Sequence, residues 1–493
     1  MARRAAARPW DGCGMAGWAG ALFARAAGGL AFFAFFVALT LRGASEAPLA
    51  AAFAASLSLL TAGAMAAAPH ARLLRVLRTN WITALAAFAL VGWSLATAWI
   101  GGGDTPGFWR ALWHPLWRTF GLEGGAVSLS PYRTLEGVAA FLAPAAAFIL
   151  GAINVQSRAE RDWTGRLYAA LAIAFAVFAL IMLIQGVGLQ WGRLTARLGS
   201  SNAAATIFGV FALFMTALVI RATRGRLTDG RAVRAPTHPL LAWTAVVQGA
   251  PITFAALVLI GACALLTGSR AGILVSAGAL MICIALLRAP ASAGDGRDAR
   301  SNAASGLLGA IALLLLLLGG GDVFSRFGEV DADSAARRIM IETHWLAFLD
   351  RPWLGHGLNT FHELNAHYGD PANWAALESI GSAHNIFVQL LEETGVVGAA
   401  LFVLMLAPPL WRALRIAWTD RSGAEWAAAT VSAALLCFGH GAVDFGLQVP
   451  ALSALLAYAL GAFSQIEDER TRVAESRRIE PAEPAIQFRS LDS

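Results

Sequence analysis

The residues best placed for acid–base chemistry lie in the stretch Ser382-Ala-His384-Asn385-Ile-Phe-Val-Gln-Leu-Leu-Glu-Glu-Thr-Gly395. Ser382 suits a helix N-cap, and Gly395 stands where a glycine would stop the helix. His384 then falls in the first turn, where free backbone N–H groups and the helix dipole favour an anion and oppose an extra proton on the imidazole. A neutral histidine beside a bound anion can serve as a general base. Asn385, next to it, is a candidate substrate contact. The competing expectation is a polar cap at a membrane boundary, hydrogen-bonded and inert.

Arginines supply the matching cation. Arg270 lies in Thr267-Gly-Ser-Arg270-Ala-Gly-Ile-Leu274, at the tip between two apolar segments. Arg193 and Arg197 lie in Trp191-Gly-Arg193-Leu-Thr-Ala-Arg197-Leu-Gly-Ser-Ser-Asn202. Guanidinium groups at apolar helix ends hold phosphate or pyrophosphate through paired hydrogen bonds, and they also snorkel to lipid headgroups. The lipid role is at least as strong for Arg193, whereas glycines in a tight turn favour a functional Arg270. Arg337 and Arg338 precede an aromatic stretch, 339–349, that suits the interface; one of the pair faces a ligand, Arg338 being the first choice, and the other is solvated.

Other ionisable residues carry less. His356, His362 and His367 do not put two ligands on one helical face, and no acidic residue completes a metal pattern, so no metal site is expected. His356 is the one best suited to line a site. His440 and Asp444 are four apart and share a helix face; a structural hydrogen bond is the expectation, although intramembrane ionisable pairs are often functional. Cys13, Cys263, Cys283 and Cys437 have no ligand spacing and suggest no disulfide framework.

The elements that position these groups follow from composition. Of the 493 residues, 57% are apolar and 14% charged, with a mean hydropathy of +0.61. That is too apolar for a soluble enzyme and too poor in charge for a disordered chain. A bilayer core takes about 20 apolar residues as helix. Candidate spans fall near 22–41, 48–68, 81–100, 133–154, 167–189, 203–220, 241–267, 271–287, 304–319, 395–410, 425–445 and 449–466. The fold class is therefore an all-α polytopic membrane protein with about twelve transmembrane helices. A glycine-rich turn at 268–272 separates two spans that would otherwise read as one long helix.

The sequence has no lysine, so all 37 basic residues are arginine. With both termini cytoplasmic, 26 arginines fall inside and 11 outside, the bias that orients membrane proteins. The net charge of +6 is thus an orientation signal, with no nucleic-acid partner expected. Arg3, Arg4 and Arg8 before an apolar stretch mimic a signal peptide, but 12–18 offers no cleavage site, and the first helix is expected to stay. The expected organisation is nine spans in 1–319, a large helical loop on the outer side at 320–394 carrying the candidate chemical segment, three spans in 395–466 and a cytoplasmic tail at 467–493. That loop holds His344, His356, His362, His367 and His384, five of the nine histidines, which concentrates candidate chemistry there. A second outer segment, 101–131, has Trp109, Trp113 and Trp117 at helical spacing and reads as an interfacial helix.

Four places together resemble the O-antigen ligase and polymerase superfamily. They are Arg197-Leu-Gly-Ser-Ser-Asn202, Gly268-Ser-Arg270-Ala-Gly-Ile-Leu274, Asp350-Arg-Pro352-Trp-Leu-Gly355-His356-Gly357, and His384 followed by ten residues and Gly395. The resemblance implies glycosyl transfer at the periplasmic face of a bacterial inner membrane, with no cofactor. Its donor would be a glycan on undecaprenyl pyrophosphate and its acceptor a sugar hydroxyl of lipid A–core or another glycan. Carried over, Arg197 and Arg270 would bind the pyrophosphate and His384 would assist the acceptor hydroxyl. Ligase is the preferred reading; an O-antigen or exopolysaccharide polymerase and a protein O-oligosaccharyltransferase share the same motifs.

Rivals from other classes fit less well. A lipid-linked sugar transporter would line its path with charge near the bilayer midplane, yet the span centres here are almost free of it. A peptidoglycan-type glycosyltransferase would use an acid such as Asp350, Glu363 or Asp370 and leave the His384 helix unexplained. A scaffold leaves the outer arginines unexplained.

Overall fold

The helix Ser201–Gly225 is apolar on every side, and such a helix is stable only when other helices surround it. It forms the axis of the bundle: its core is 89% buried inside the protein, against 28% for the peripheral helices Ala47–Ala67 and Ile386–Trp418. The helices Arg158–Ile184, Pro251–Leu266, Arg270–Leu287 and Ala424–Gly441 pack around it. In this computed structural model the described residues are 15–119, 121–225, 251–287, 332–378, 380–419 and 423–465. They are mostly helical, with one two-residue hairpin pairing Leu189–Gln190 with Arg193–Leu194.

Among the described residues, seven helices are long and apolar enough to cross a membrane, and Arg25–Thr40, Pro251–Leu266 and Pro450–Phe463 are shorter apolar helices. Large side chains such as Leu59, Leu85, Phe88 and Val403 are exposed on the outer helices, as expected where lipid is the solvent. Where helices meet, small residues let backbones touch. A Cβ on Gly151 would lie 2.4 Å from the Tyr458 carbonyl, and one on Gly461 would lie 2.1 Å from that of Phe148. The span expected at 304–319 and the first part of that at 241–267 lie outside the described residues.

The turn expected at 268–272 is present: Pro251–Leu266 ends, Gly268 takes φ +59°, and a new helix starts at Arg270. The segment 101–131 differs from expectation. It forms two short helices, Gly107–Ala111 and Pro115–Thr119, rather than one interfacial helix. Pro115 suits the first position of a new helix but not the interior of an old one. Trp113 consequently turns inward over Gly125, where a Cβ would clash at 2.5 Å, while Trp117 donates its Nε1–H to the Ser128 carbonyl at 3.0 Å.

Candidate functional site

Four helix ends meet at one pole of the bundle. The Ser201 helix begins under a Ser200 cap, whose Oγ accepts the Ala203 N–H at 3.3 Å, and the Arg270 helix begins under Ser269, whose Oγ accepts the Gly272 N–H at 3.2 Å. Gly272 lets the two approach: a Cβ there would lie 2.6 Å from Ala205 Cβ and 3.2 Å from His440 Cε1. Thr206 Oγ1 lies 2.6 Å from His440 Nδ1, near the end of the helix Ala424–Gly441. The fourth end is the start of the helix Ile386–Thr419, with Ile386 against Gly441.

His384 sits immediately before that last helix, not in its first turn. The N-cap is Asn385, whose Oδ1 accepts the N–H groups of Phe387 at 3.0 Å and Val388 at 3.1 Å; Ser382 does not cap. Capping occupies Oδ1 of Asn385, the candidate substrate contact. His384 takes φ +50°, a conformation sparsely populated by L-residues. Its Nδ1 lies 3.4 Å from Asp444 Oδ1, and its ring meets Phe445 edge-on at 5.2 Å. His384 Nδ1 and both Asp444 carboxylate oxygens are buried with no hydrogen bond among the described residues. An uncompensated carboxylate beside one imidazole is costly to keep, and such groups cluster at functional sites.

A backbone clasp holds this helix from below. At Gly395 the helix is interrupted, φ +64° and ψ −176°, and the segment at 352–357 crosses it there. His356 N–H donates to the Glu392 carbonyl at 2.9 Å, Gly357 N–H to that of Glu393 at 2.8 Å, and Val396 N–H to that of Pro352 at 2.8 Å. A Cβ on Gly395 would sit 2.3 Å from the Trp353 carbonyl, and one on Gly355 would sit 2.5 Å from that of Glu393. The Pro-x-x-Gly-x-Gly segment and the glycine after His384 are thus two halves of one contact. Gln389 extends the support upward: its Oε1 accepts the Ala383 N–H at 3.3 Å and the Gln448 Nε2–H at 2.6 Å, while its Nε2–H donates to Glu393 at 3.0 Å.

The outer arginines sort by partner. Arg133 pairs with Glu136 and Glu363, and Arg338 with Glu342 at 2.7 Å on an exposed face. Arg193, Arg197, Arg270 and Arg337 have no carboxylate partner among the described residues. Arg193 lies along Gly268, its Nε 3.6 Å from where a Cβ would stand, next to Arg270. Arg337, rather than Arg338, lies close enough for its charge to act on His440. All seven non-glycine residues with positive φ among those described, Arg42, Ala44, Trp191, Ala196, Arg197, Asn359 and His384, lie in the segments that join the α-helices, Arg42 and Ala44 in a short 3-10 turn. Backbone strain of this kind is found at functional surfaces.

His356, expected to line a site, lies in a buried hydrogen-bonded contact instead. It is 2% exposed, and both ring nitrogens are taken. Its Nε2–H donates to the Ala347 carbonyl at 2.8 Å, so its Nδ1 accepts from His114 Nε2 at 2.9 Å, and His114 Nδ1 in turn accepts the Leu116 N–H at 3.3 Å. This assignment of protons follows from the fixed donors and acceptors at the two ends. Burial, with the other histidine and Arg351 adding to it, pushes His114 down to about 3; burial pushes His356 down to about 4. His344, also buried, lies 2.6 Å from Glu392 Oε2 and is pushed down to about 4. A histidine held below its unfolded value of about 6.5 stabilises the fold above that pH, and the contribution is lost as pH falls toward the folded value. The histidine contribution is read by difference: between about pH 7 and pH 5 the unfolding midpoint of the unaltered protein should fall relative to that of His114→Asn, a fully shifted histidine being worth on the order of 3 kcal/mol. Parallel pH dependences of the two proteins would contradict it.

Sequence reasoning missed Asp444 as the partner of His384. The four-residue spacing from His440 suggested one helix face, but the helix ends at Gly441 and the chain turns Asp444 toward His384. His114 was also missed: its only signal was a histidine before a proline in a tryptophan-rich segment. Among the described residues, then, a bundle of apolar helices of the kind found in membrane proteins carries a histidine–carboxylate pair at one pole, with guanidinium groups that have no carboxylate partner nearby.

Residues 255–403 match the O-antigen ligase family model, which bears out the resemblance to the O-antigen ligase and polymerase superfamily. The matched family consists of glycosyltransferase-like enzymes of O-antigen or glycan processing, and the match supports an O-antigen ligase or polymerase type of function in broad terms. The matched span includes Arg270, Arg337, the clasp and His384; Arg193, Arg197 and Asp444 lie outside it. None of the curated proteins matches the chain.

Proposed function

We propose that the protein is an O-antigen ligase, which transfers a glycan from undecaprenyl pyrophosphate to a sugar hydroxyl of lipid A–core at the periplasmic face of the inner membrane. The observation that carries the reading is that Arg270, which starts its helix and has no carboxylate partner among the described residues, lies at the same pole of the bundle as His384 and Asp444. Arg270, Arg193 and Arg197 hold the pyrophosphate, whose negative charge grows as the bond to the sugar breaks; fixed cations stabilise that change without reorganising. With Nδ1 of His384 toward Asp444, Nε2 is left to take the proton of the acceptor hydroxyl. The acceptor oxygen bonds to the anomeric carbon as the carbon–oxygen bond to pyrophosphate breaks, and undecaprenyl pyrophosphate leaves with the bonding electrons. Direct displacement inverts the anomeric configuration.

The test is complementation of a ligase-deficient strain, reading lipopolysaccharide for long-chain glycan. Arg270→Ala is expected to abolish the ladder with protein levels unchanged, a loss of about a hundredfold or more if one preorganised charge contact is removed. A full ladder from this variant would remove Arg270 from the mechanism. Normal capping with collapsed chain length would replace ligase by polymerase.

A further inference from the structure

Arg197 does not face the same neighbours as Arg193. It lines an open cavity of about 390 Å³ together with Arg42, Gly188, Leu189, Thr195 and Gly199. Arg42 comes from the short turn after the first helix, far away in sequence, and its Nη2 reaches to 3.7 Å from the Cβ position of Gly199. Gly188 stands against Arg197 from the other side, its Cβ position 3.2 Å from Arg197 N and 3.5 Å from Cγ. Both arginines hold left-handed backbone conformations, φ +59° for Arg42 and +64° for Arg197. The cavity wall is fixed by Thr195, whose N–H and hydroxyl both donate to the Gly188 carbonyl at 2.8 Å.

We propose that Arg42 and Arg197 together form a phosphate-binding site, with Arg42 a donor-binding residue. Two arginines from separate elements line one cavity, and guanidinium groups presented from two sides are suited to grip a phosphate oxygen pair. Arg42 has one carboxylate partner, Glu46 at 2.8 Å, and both side chains are more than half exposed. Such a pair is weak and screened, so a multiply charged phosphate displaces the carboxylate. Assigning the phosphate to the donor's pyrophosphate rests on the transfer reading; phosphate binding by the cavity does not.

The experiment measures binding of inorganic pyrophosphate to the full chain in phosphatidylcholine nanodiscs by calorimetry. Arg42→Gln is expected to weaken binding about tenfold, the loss of one charge-assisted contact. Glu46→Gln is expected to tighten it, because the competing carboxylate is gone. Arg118→Gln, an exposed arginine that does not line the cavity, controls for net charge and should change nothing. Nanodiscs containing phosphatidylglycerol distinguish the source: unchanged binding supports the donor, whereas Arg42-dependent competition by the lipid assigns the site to headgroups and overturns the donor role. Wild-type affinity in Arg42→Gln overturns the site.

Discussion

His384→Ala is expected to abolish glycan transfer while the protein accumulates in the membrane at its normal level. The imidazole is less than a quarter exposed and caps nothing, since Asn385 supplies the helix cap, so its removal leaves the helix start intact. What is lost is the proton acceptor, and general-base removal costs about 10²–10⁴ in rate. Asp444→Asn should lower the rate by less, because the imidazole remains but is no longer oriented. The double variant should be no worse than His384→Ala alone, as expected of residues acting as one unit. Transfer rates of the purified variants check this; additive losses would mean that the 3.4 Å approach of His384 Nδ1 to Asp444 Oδ1 is incidental to catalysis.

Gly395→Ala acts through the fold rather than the chemistry, with comparable effect. At φ +64° and ψ −176° the residue occupies a region open essentially to glycine alone. The added Cβ would also stand 2.3 Å from the Trp353 carbonyl, backbone that cannot swing aside. Each penalty is on the order of 1–3 kcal/mol, enough together to open the clasp and release the His384 turn. Gly278→Ala, where a Cβ meets nothing within 4 Å, is the tolerated control. Protease resistance of the 350s segment reports the difference, and equal resistance of the two variants would rule out the clasp.

Hydropathy made the helical membrane class legible, because a bilayer demands apolar length and helices alone satisfy it within one segment. The arginine distribution singled out Arg270 and Arg197, since positive charge on the outer side breaks an orientation rule and needs a cause. Details set by tertiary contact were not. Ser382 and Asn385 are both good caps, and the choice depends on the bend that His384 introduces. Arg337 and Arg338 differ by about 100° around a helix, and only packing against the Ile386 helix decides which turns inward. His356 was singled out within a family motif, but the motif's glycines serve a backbone crossing, and the histidine between them is drawn into the buried contact with His114. Asp444 was hidden because the end of its helix is a local event that no spacing rule marks.

The most direct measurement of the account is transfer by the purified full chain in nanodiscs supplied with an undecaprenyl-pyrophosphate-linked glycan and lipid A–core. The expected result is glycan joined to the core with inverted anomeric configuration, undecaprenyl pyrophosphate released in equal amount, and both products missing with His384→Ala. Transfer that persists in His384→Ala, or product with retained configuration, would contradict it.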